Sequence, residues 1–390
     1  MEKHLIQYLR DRIQQQGAIT FAEFMETVLY HESGYYNQQA KRMGQRGDFF
    51  TSVHLGEAFG AMLAVQFVEL WQRLGSPSAF DLVEMGAGQG WLARDILIHL
   101  RDYYESCFIC VSYTIVEKSA DLIDRQQNTL QSLLDSGVAI QWRTWSEIDS
   151  QSIVGCVFSN ELIDAFAVHQ VQKRGDRLME VYVAWEGDRP VETLQPLSTS
   201  GIADYFQAAN IDLLSPVYPE GYRTEVNLQA LDWLKTVADR LRQGYLITID
   251  YGYSNKRYYN PGRCSGTLQC YYQHQVHGDP YINLGEQDIT AHVDFTALQT
   301  QGARLGLVTL GLTQQAAFLM YLGLGDRIAG LSQGEGRSGA EMLEQLKMRD
   351  ALHRLIDPTG LGGFGVLVQG KGDDGTKPPI RGLTTAFWSN

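Results

Sequence analysis

Between residues 80 and 100 the apolar positions change from a continuous run to a helical period. Phe80, Leu82 and Val83 lead into Glu84, and after three alternate glycines Leu92, Ile96 and Leu100 recur four residues apart. The pattern predicts a strand, a tight turn over Gly86, Gly88 and Gly90, and a helix. The alternation then repeats. Ser112–Glu117, Val138–Trp142 and Ile153–Ser159 read as further strands, and Tyr245–Asp250 as a fifth, entered from a helix over Asn227–Arg242. Val308–Leu312 and Gly363–Gln369 add two more. Strands separated by helices predict an α/β domain around a seven-stranded, mostly parallel sheet with right-handed crossovers.

The flanking segments follow other periods. Residues 1–75 read as mostly helical, with Leu5, Leu9 and Ile13 on one helix and Phe21, Phe24, Met25 and Val28 on a second that starts at Thr20. Val168–Gln172, Leu178–Trp185 and Val191–Leu194 alternate as strands do, with turns at Arg174-Gly-Asp176 and Gly187-Asp188. The expected organisation is an N-terminal helical lid region (1–75), a first part of the core (76–167), an inserted antiparallel platform (168–224), a second part of the core (225–370) and a flexible tail (371–390). The platform would serve an acceptor or a homodimer. The second core part contains a long Tyr- and Gly-rich loop over 253–285, a helix resuming at Asp288, and helices over Thr313–Ile328 and Ala340–Leu355.

Composition narrows the class. A net charge of -13 over 390 residues argues against nucleic acid and anionic membranes as partners. No stretch reaches the roughly 18–20 apolar residues of a membrane span. The first residues mix both charge signs on an amphipathic helix, unlike a signal or transit peptide, so a cytoplasmic location is expected. Five cysteines make no disulfide framework. Neither Cys107-x-x-Cys110 nor the Cys264, Cys270, His274 and His277 set has familiar metal spacing, so no metal is expected.

The glycine turn carries the chemistry. A dinucleotide fingerprint needs a third glycine three residues after the second, and here that place is Trp91. The spacing Glu84-x-Gly86-x-Gly88-x-Gly90 instead resembles the first motif of class I S-adenosylmethionine methyltransferases. In an open α/β sheet ligands sit at the carboxyl ends of the strands. Glu117, at the end of the second strand, could there accept both ribose hydroxyls of an adenosine. Phe158-Ser-Asn-Glu-Leu-Ile-Asp164 brings an amide and two carboxylates to the same rim. An arginine acceptor would need a carboxylate to grip its guanidinium. Glu161 is the candidate clamp and Asp164 the second acid, while Asn160 would hold the acceptor or the amino-acid part of the donor. His292 is a candidate acid or base, because its reference pKa lies near neutrality. Gly47-Asp-Phe-Phe-Thr-Ser52 is a polar and aromatic loop just before the core, read as a lid over the cofactor.

These segments, with Ile19-Thr-Phe-Ala-Glu-Phe-Met25, Gly34-Tyr-Tyr36, Ile249-Asp-Tyr-Gly252 and Asp288-Ile-Thr-Ala-His-Val-Asp-Phe295, together resemble the MidA-like family along nearly the whole chain. The resemblance implies a class I, Rossmann-like methyltransferase fold with S-adenosylmethionine as donor. It also implies a protein arginine as acceptor, in a respiratory-type NADH dehydrogenase subunit or its assembly. Cofactor contacts are then expected from Asp48, Phe49, Thr51, Ser52, Glu84, Gly86, Gly88, Gly90, Glu117 and Asn160, and catalytic roles for Glu161, Asp164 and His292. The chain departs from the family pattern at Val53-His54 and Ala167. Two other functions fit the same donor site: an assembly chaperone that binds S-adenosylmethionine with little or no catalysis, and a small-molecule methyltransferase, whose pocket the 253–285 loop could line.

Overall fold

The computed structural model describes residues 2–37, 52–331, 339–373 and 375–383. They divide into two compact units, one from the described residues of 1–49, 163–234 and 252–301, the other from those of 50–162, 235–251 and 302–390.

The second unit holds the large sheet. Its strands are β1 (Phe80–Met85), β2 (Val111–Val116), β3 (Ile140–Arg143), β4 (Ile153–Asn160), β5 (Leu241–Asp250), β6 (Val308–Gln314) and β7 (Gly365–Lys371), in the spatial order β6-β7-β5-β4-β1-β2-β3. The sheet is mixed: β1 to β5 run parallel, while β7 lies antiparallel to β5 and β6 antiparallel to β7. Helices α1 (Ala58–Arg73), α2 (Trp91–Tyr103) and α3 (Ala120–Asp135) accompany it. Leu92, Ile96, Leu97 and Leu100 of α2 are buried in one cluster with Phe67 of α1 and with Tyr113 and Phe158 of the sheet. The Phe67 and Phe158 rings lie 4.9 Å apart. Strand order reverses between β1 and β4, which places a crevice at the carboxyl ends of those two strands.

The first unit is an antiparallel sheet with helices. Strands His169–Arg174, Arg177–Glu186, Arg189–Gln195 and Arg223–Val226 pair with one another and, through Arg177–Glu186, with Ile19–Thr20. The helix Phe21–Tyr30 opens on a capping box: the Glu23 amide donates to Thr20 Oγ1 at 3.1 Å, and the Thr20 amide donates to Glu23 Oε2 at 2.9 Å.

Four expectations are corrected here. Asp288–Thr290 is a strand paired with Gln269–Tyr272, and the helix begins only at Phe295, because the Asp294 carboxylate caps it by accepting from the Thr296 and Ala297 amides. The 253–285 segment is not one long loop, since it contains Asn255–Tyr258 as helix and Gln269–Tyr272 and Gln275–His277 as strands. The tail is packed through residue 383: Ile380 and Leu383 are buried, and the Gly382 amide donates to Gln66 Oε1 at 3.1 Å. Two apolar side chains among polar ones gave that segment too weak a pattern to read. The helix over Thr313–Ile328 is also interrupted, by Gly323 at φ +108° after Gln315–Leu322.

Phe158 is 1 % exposed between Phe67 and Tyr113. Phe158→Ala should therefore destabilise the fold by about 3–5 kcal/mol, read as a lower urea midpoint at unchanged slope; a loss below about 1 kcal/mol would remove Phe158 from the load of the core.

Candidate active site

Two turns meet the crevice. The first follows β1. Gly86, Gly88 and Gly90 have φ of +79°, +53° and +81°, a region L side chains avoid. The turn is held from outside: Gln126 Nε2 donates to the Gly88 carbonyl at 2.9 Å, and Trp142 Nε1 donates to Gln126 Oε1 at 2.8 Å. A Cβ at Gly86 would come within 3.1 Å of Leu162, whereas one at Gly88 would meet nothing within 4 Å. The face of the turn at Gly88 is therefore open. Glu117 follows β2 directly. Its Oε1 accepts from the Lys118 and Ser119 amides at 2.8 and 2.9 Å, just before α3, and among the described residues Oε2 makes no hydrogen bond.

Glu84 lies beneath the turn. It is 2 % exposed, accepts from Tyr113 Oη at 2.6 Å, and burial pushes its carboxyl up to about 7.

The second turn follows β4. Glu161 has φ +51°, and its amide donates to the Ile249 carbonyl at 2.9 Å. A non-glycine residue in that region is strained unless its surroundings fix it, and such strain gathers at functional sites. Here the surroundings do fix it. Glu161 Oε1 accepts from Asn160 Nδ2 at 3.1 Å and from the Ser52 amide at 3.4 Å, and the fully buried Asp250 accepts from the Leu162 and Tyr251 amides at 3.2 and 2.9 Å. Asn160 Oδ1 is buried with no hydrogen-bond partner among the described residues.

Asp164 and His292 belong to the other unit. Asp164 is 5 % exposed, and its carbonyl accepts from the Ala291 amide at 2.9 Å. Nearby, Tyr30 stacks on Tyr36 at 5.2 Å and Tyr36 Oη donates to Asp288 Oδ1 at 3.0 Å. Burial, and then the charges of Asp288 and Asp164 among others, hold both phenols well above their usual pKa. His292 stacks on Tyr253 at 4.9 Å. Its near-neutral reference pKa does not survive folding: burial first, then Arg263, push it down to about 4, so the imidazole is neutral at pH 7. Asp48, Phe49 and Thr51 lie outside the described residues, and Ser52 is buried.

A family model of S-adenosyl-L-methionine-dependent methyltransferases matches residues 62–313. The chain belongs to this family. Among curated relatives, protein arginine methyltransferase NDUFAF7, mitochondrial, of Rattus norvegicus is 27% identical over 383 residues, covering 92% of this chain and 82% of the relative. The Caenorhabditis elegans homologue is 30% identical over 358 residues, covering 85% and 79%. A solved COG1565 superfamily protein of Burkholderia thailandensis, bound to S-adenosyl-homocysteine, superposes with a TM-score of 0.83 at 30% identity, covering 97% of this chain and 94% of that one.

The methyltransferase uses S-adenosylmethionine as its donor, and the crevice fits that molecule. The open face at Gly88 admits a ligand against the backbone, and the orphaned Asn160 Oδ1 is an acceptor matched to an ammonium group. The cytoplasmic assignment is corrected, because these eukaryotic relatives are named as mitochondrial proteins. Net charge and the length of apolar runs describe a surface and carry no address. Sequence reasoning also missed Gln126, Trp142 and Tyr113. Each sits on a regular helix or strand, where its spacing signals only packing.

Glu84 sets a pH dependence. Folding raises its pKa from the ordinary 4.5 to about 7, so the folded state holds the proton more tightly. The resulting stability is full below the unfolded value and is lost as the pH rises through 7. Between pH 5 and 8 the wild type should lose up to about 3 kcal/mol relative to Glu84→Gln, measured as the difference of their urea unfolding free energies; a pH-independent difference would refute the buried, protonated carboxyl.

Proposed function

We propose that the protein is a protein-arginine N-methyltransferase whose acceptor is a respiratory-type NADH dehydrogenase subunit or a protein of its assembly. The observation that carries the acceptor half is the Glu161 turn, an acidic side chain strained into a left-handed conformation at the rim of the donor crevice. The names of the curated relatives support arginine as the acceptor.

In this reading the Gly86–Gly90 turn receives the donor, Glu117 accepts the ribose hydroxyls, and Asn160 Oδ1 accepts from the ammonium of its amino-acid part. Glu84 acts from below by holding the turn's strand in place. Bound there, S-adenosylmethionine supplies an electrophilic methyl carbon on a positively charged sulfur. Glu161 grips the acceptor guanidinium, aims one nitrogen at that carbon and takes the proton this nitrogen releases. Asp164, three residues further along the chain, is the second acid. His292, neutral at pH 7, is a candidate base, and burial makes it a weak one. The strands over 168–224 offer a platform to the acceptor or to a second copy of the chain.

Glu117→Ala should weaken S-adenosylmethionine binding by about 1–3 kcal/mol, and Gly86→Val should abolish it; calorimetric affinities equal to wild type in both would sink the donor assignment. Wild type mixed with labelled S-adenosylmethionine and extract from a strain lacking the gene should yield methylarginine after hydrolysis, and Glu161→Gln should lower that yield by at least about a hundredfold. Equal yields would remove Glu161 from the chemistry, and label found only in small molecules would replace the protein acceptor.

A further inference from the structure

Arg257 and Arg263 are gathered on one aromatic ring without a counter-charge. Their guanidinium carbons lie 4.4 and 4.5 Å from the centroid of Tyr253, which also stacks on His292. Among the described residues neither arginine forms an ion pair, although the chain carries 45 acidic residues and in the same unit Arg223 is held by Glu192 at 2.6 Å and Arg10 by Asp188 at 2.8 Å. Arg263 spends Nη1 on the Arg257 and Tyr258 carbonyls, at 2.7 and 3.1 Å. Its other guanidinium N–H groups, and all those of the Arg257 guanidinium, make no hydrogen bond to a described residue.

The cluster is built rigidly. Tyr253 pairs in register with Asp294, the Asn255 amide donates to Thr296 Oγ1 at 3.0 Å, and Asn255 Nδ2 donates to the Ala209 carbonyl at 3.0 Å. The segment that follows is fastened by Thr267, whose amide and hydroxyl both donate to the buried Glu225 Oε2, at 2.8 and 3.0 Å. Two cations held close to each other repel, and the face of a tyrosine returns only part of that cost. An arriving anion would find both guanidiniums already gathered on one ring. The low pKa of His292, to which Arg263 and Arg257 both contribute after burial, reports the same local positive field.

We propose that Tyr253, Arg257 and Arg263 form a carboxylate receptor that docks an acidic segment of the protein acceptor. The proposal rests on the protein-acceptor reading above. Carboxylates are the committed occupant because the partner is a protein segment and each guanidinium fork takes one carboxylate by paired N–H···O bonds. One or two carboxylates would engage the guanidinium forks and touch little else.

The test uses the full chain and acetylated hexaglutamate as the probe, with Arg257→Gln and Arg257→Glu as variants. Arg257 is exposed and holds no backbone with its side chain, so these substitutions leave the fold intact. By titration calorimetry the expected result is binding at least fivefold weaker in Arg257→Gln, none detectable in Arg257→Glu, and unchanged affinity for S-adenosylmethionine in both. With the labelled acceptor purified from extract, Arg257→Gln should raise KM and keep kcat. Hexaglutamate bound equally by wild type and Arg257→Glu overturns the receptor, as does an unchanged KM for the acceptor while methylarginine still forms. Tighter binding of single-stranded oligouridylate than of hexaglutamate overturns the choice of carboxylate. If wild type makes no methylarginine but the Arg257→Glu loss of hexaglutamate persists, the arginine reading fails and the carboxylate receptor stands.

Discussion

The reversal of strand order between β1 and β4 is the constraint from which the site follows. In a parallel sheet each strand hands its chain to a crossover at its carboxyl end, and neighbours whose crossovers lead to opposite sides leave a gap above their ends. β1 and β4 are such a pair, hydrogen-bonded from Asp81↔Gly155 to Met85↔Ser159. Whatever follows Met85 and Asn160 must line that gap. The chain places a glycine turn after the first and an amide with a carboxylate after the second, so the two turns are brought together by topology before any side chain packs.

The price of this arrangement is polar burial at the rim, and the structure meets it by hydrogen bonding. Asp250 is fully buried, yet its two oxygens accept one amide from its own strand's exit and one from the exit of β4. A buried carboxylate with such donors is tolerable, whereas one without would cost several kcal/mol. The same bonds tie the turn after β4 to that after β5, which is why Glu161 can persist at positive φ. Glu84 is handled differently. With one hydroxyl as partner and full burial it keeps its proton to near neutrality.

How much of this was legible in the sequence depends on what each signal measures. Strand and helix periods report burial, so β1, β2, β4 and α2 could be read, and the turn after β1 could be read because three alternate glycines have few other uses. Asp288–Thr290 was misread as helix because its neighbours on Gln269–Tyr272 are far along the chain, and a three-residue strand has no period of its own. The packed tail was missed for a related reason: Ile380 and Leu383 are apolar anchors isolated among polar residues. His292 shows the limit for chemistry. A reference pKa belongs to a solvated side chain, and the burial and the two arginines that displace it are properties of the fold.

The 253–285 segment shows how one buried acid can order a region that composition marks as loop. Glu225 closes the strand Arg223–Val226 with its carboxylate inside the protein, and burial raises its pKa. It takes both donors of Thr267, and Gly266 passes so near that a Cβ there would fall 2.0 Å from Glu225 Oε1. The glycine is therefore required by close approach, and φ of +76° makes any other residue doubly unfavourable. From Thr267 the restraint passes to His292, whose amide donates to Thr267 Oγ1 at 3.2 Å. A strand end, a loop and the backbone of His292 are thus linked through a single carboxylate.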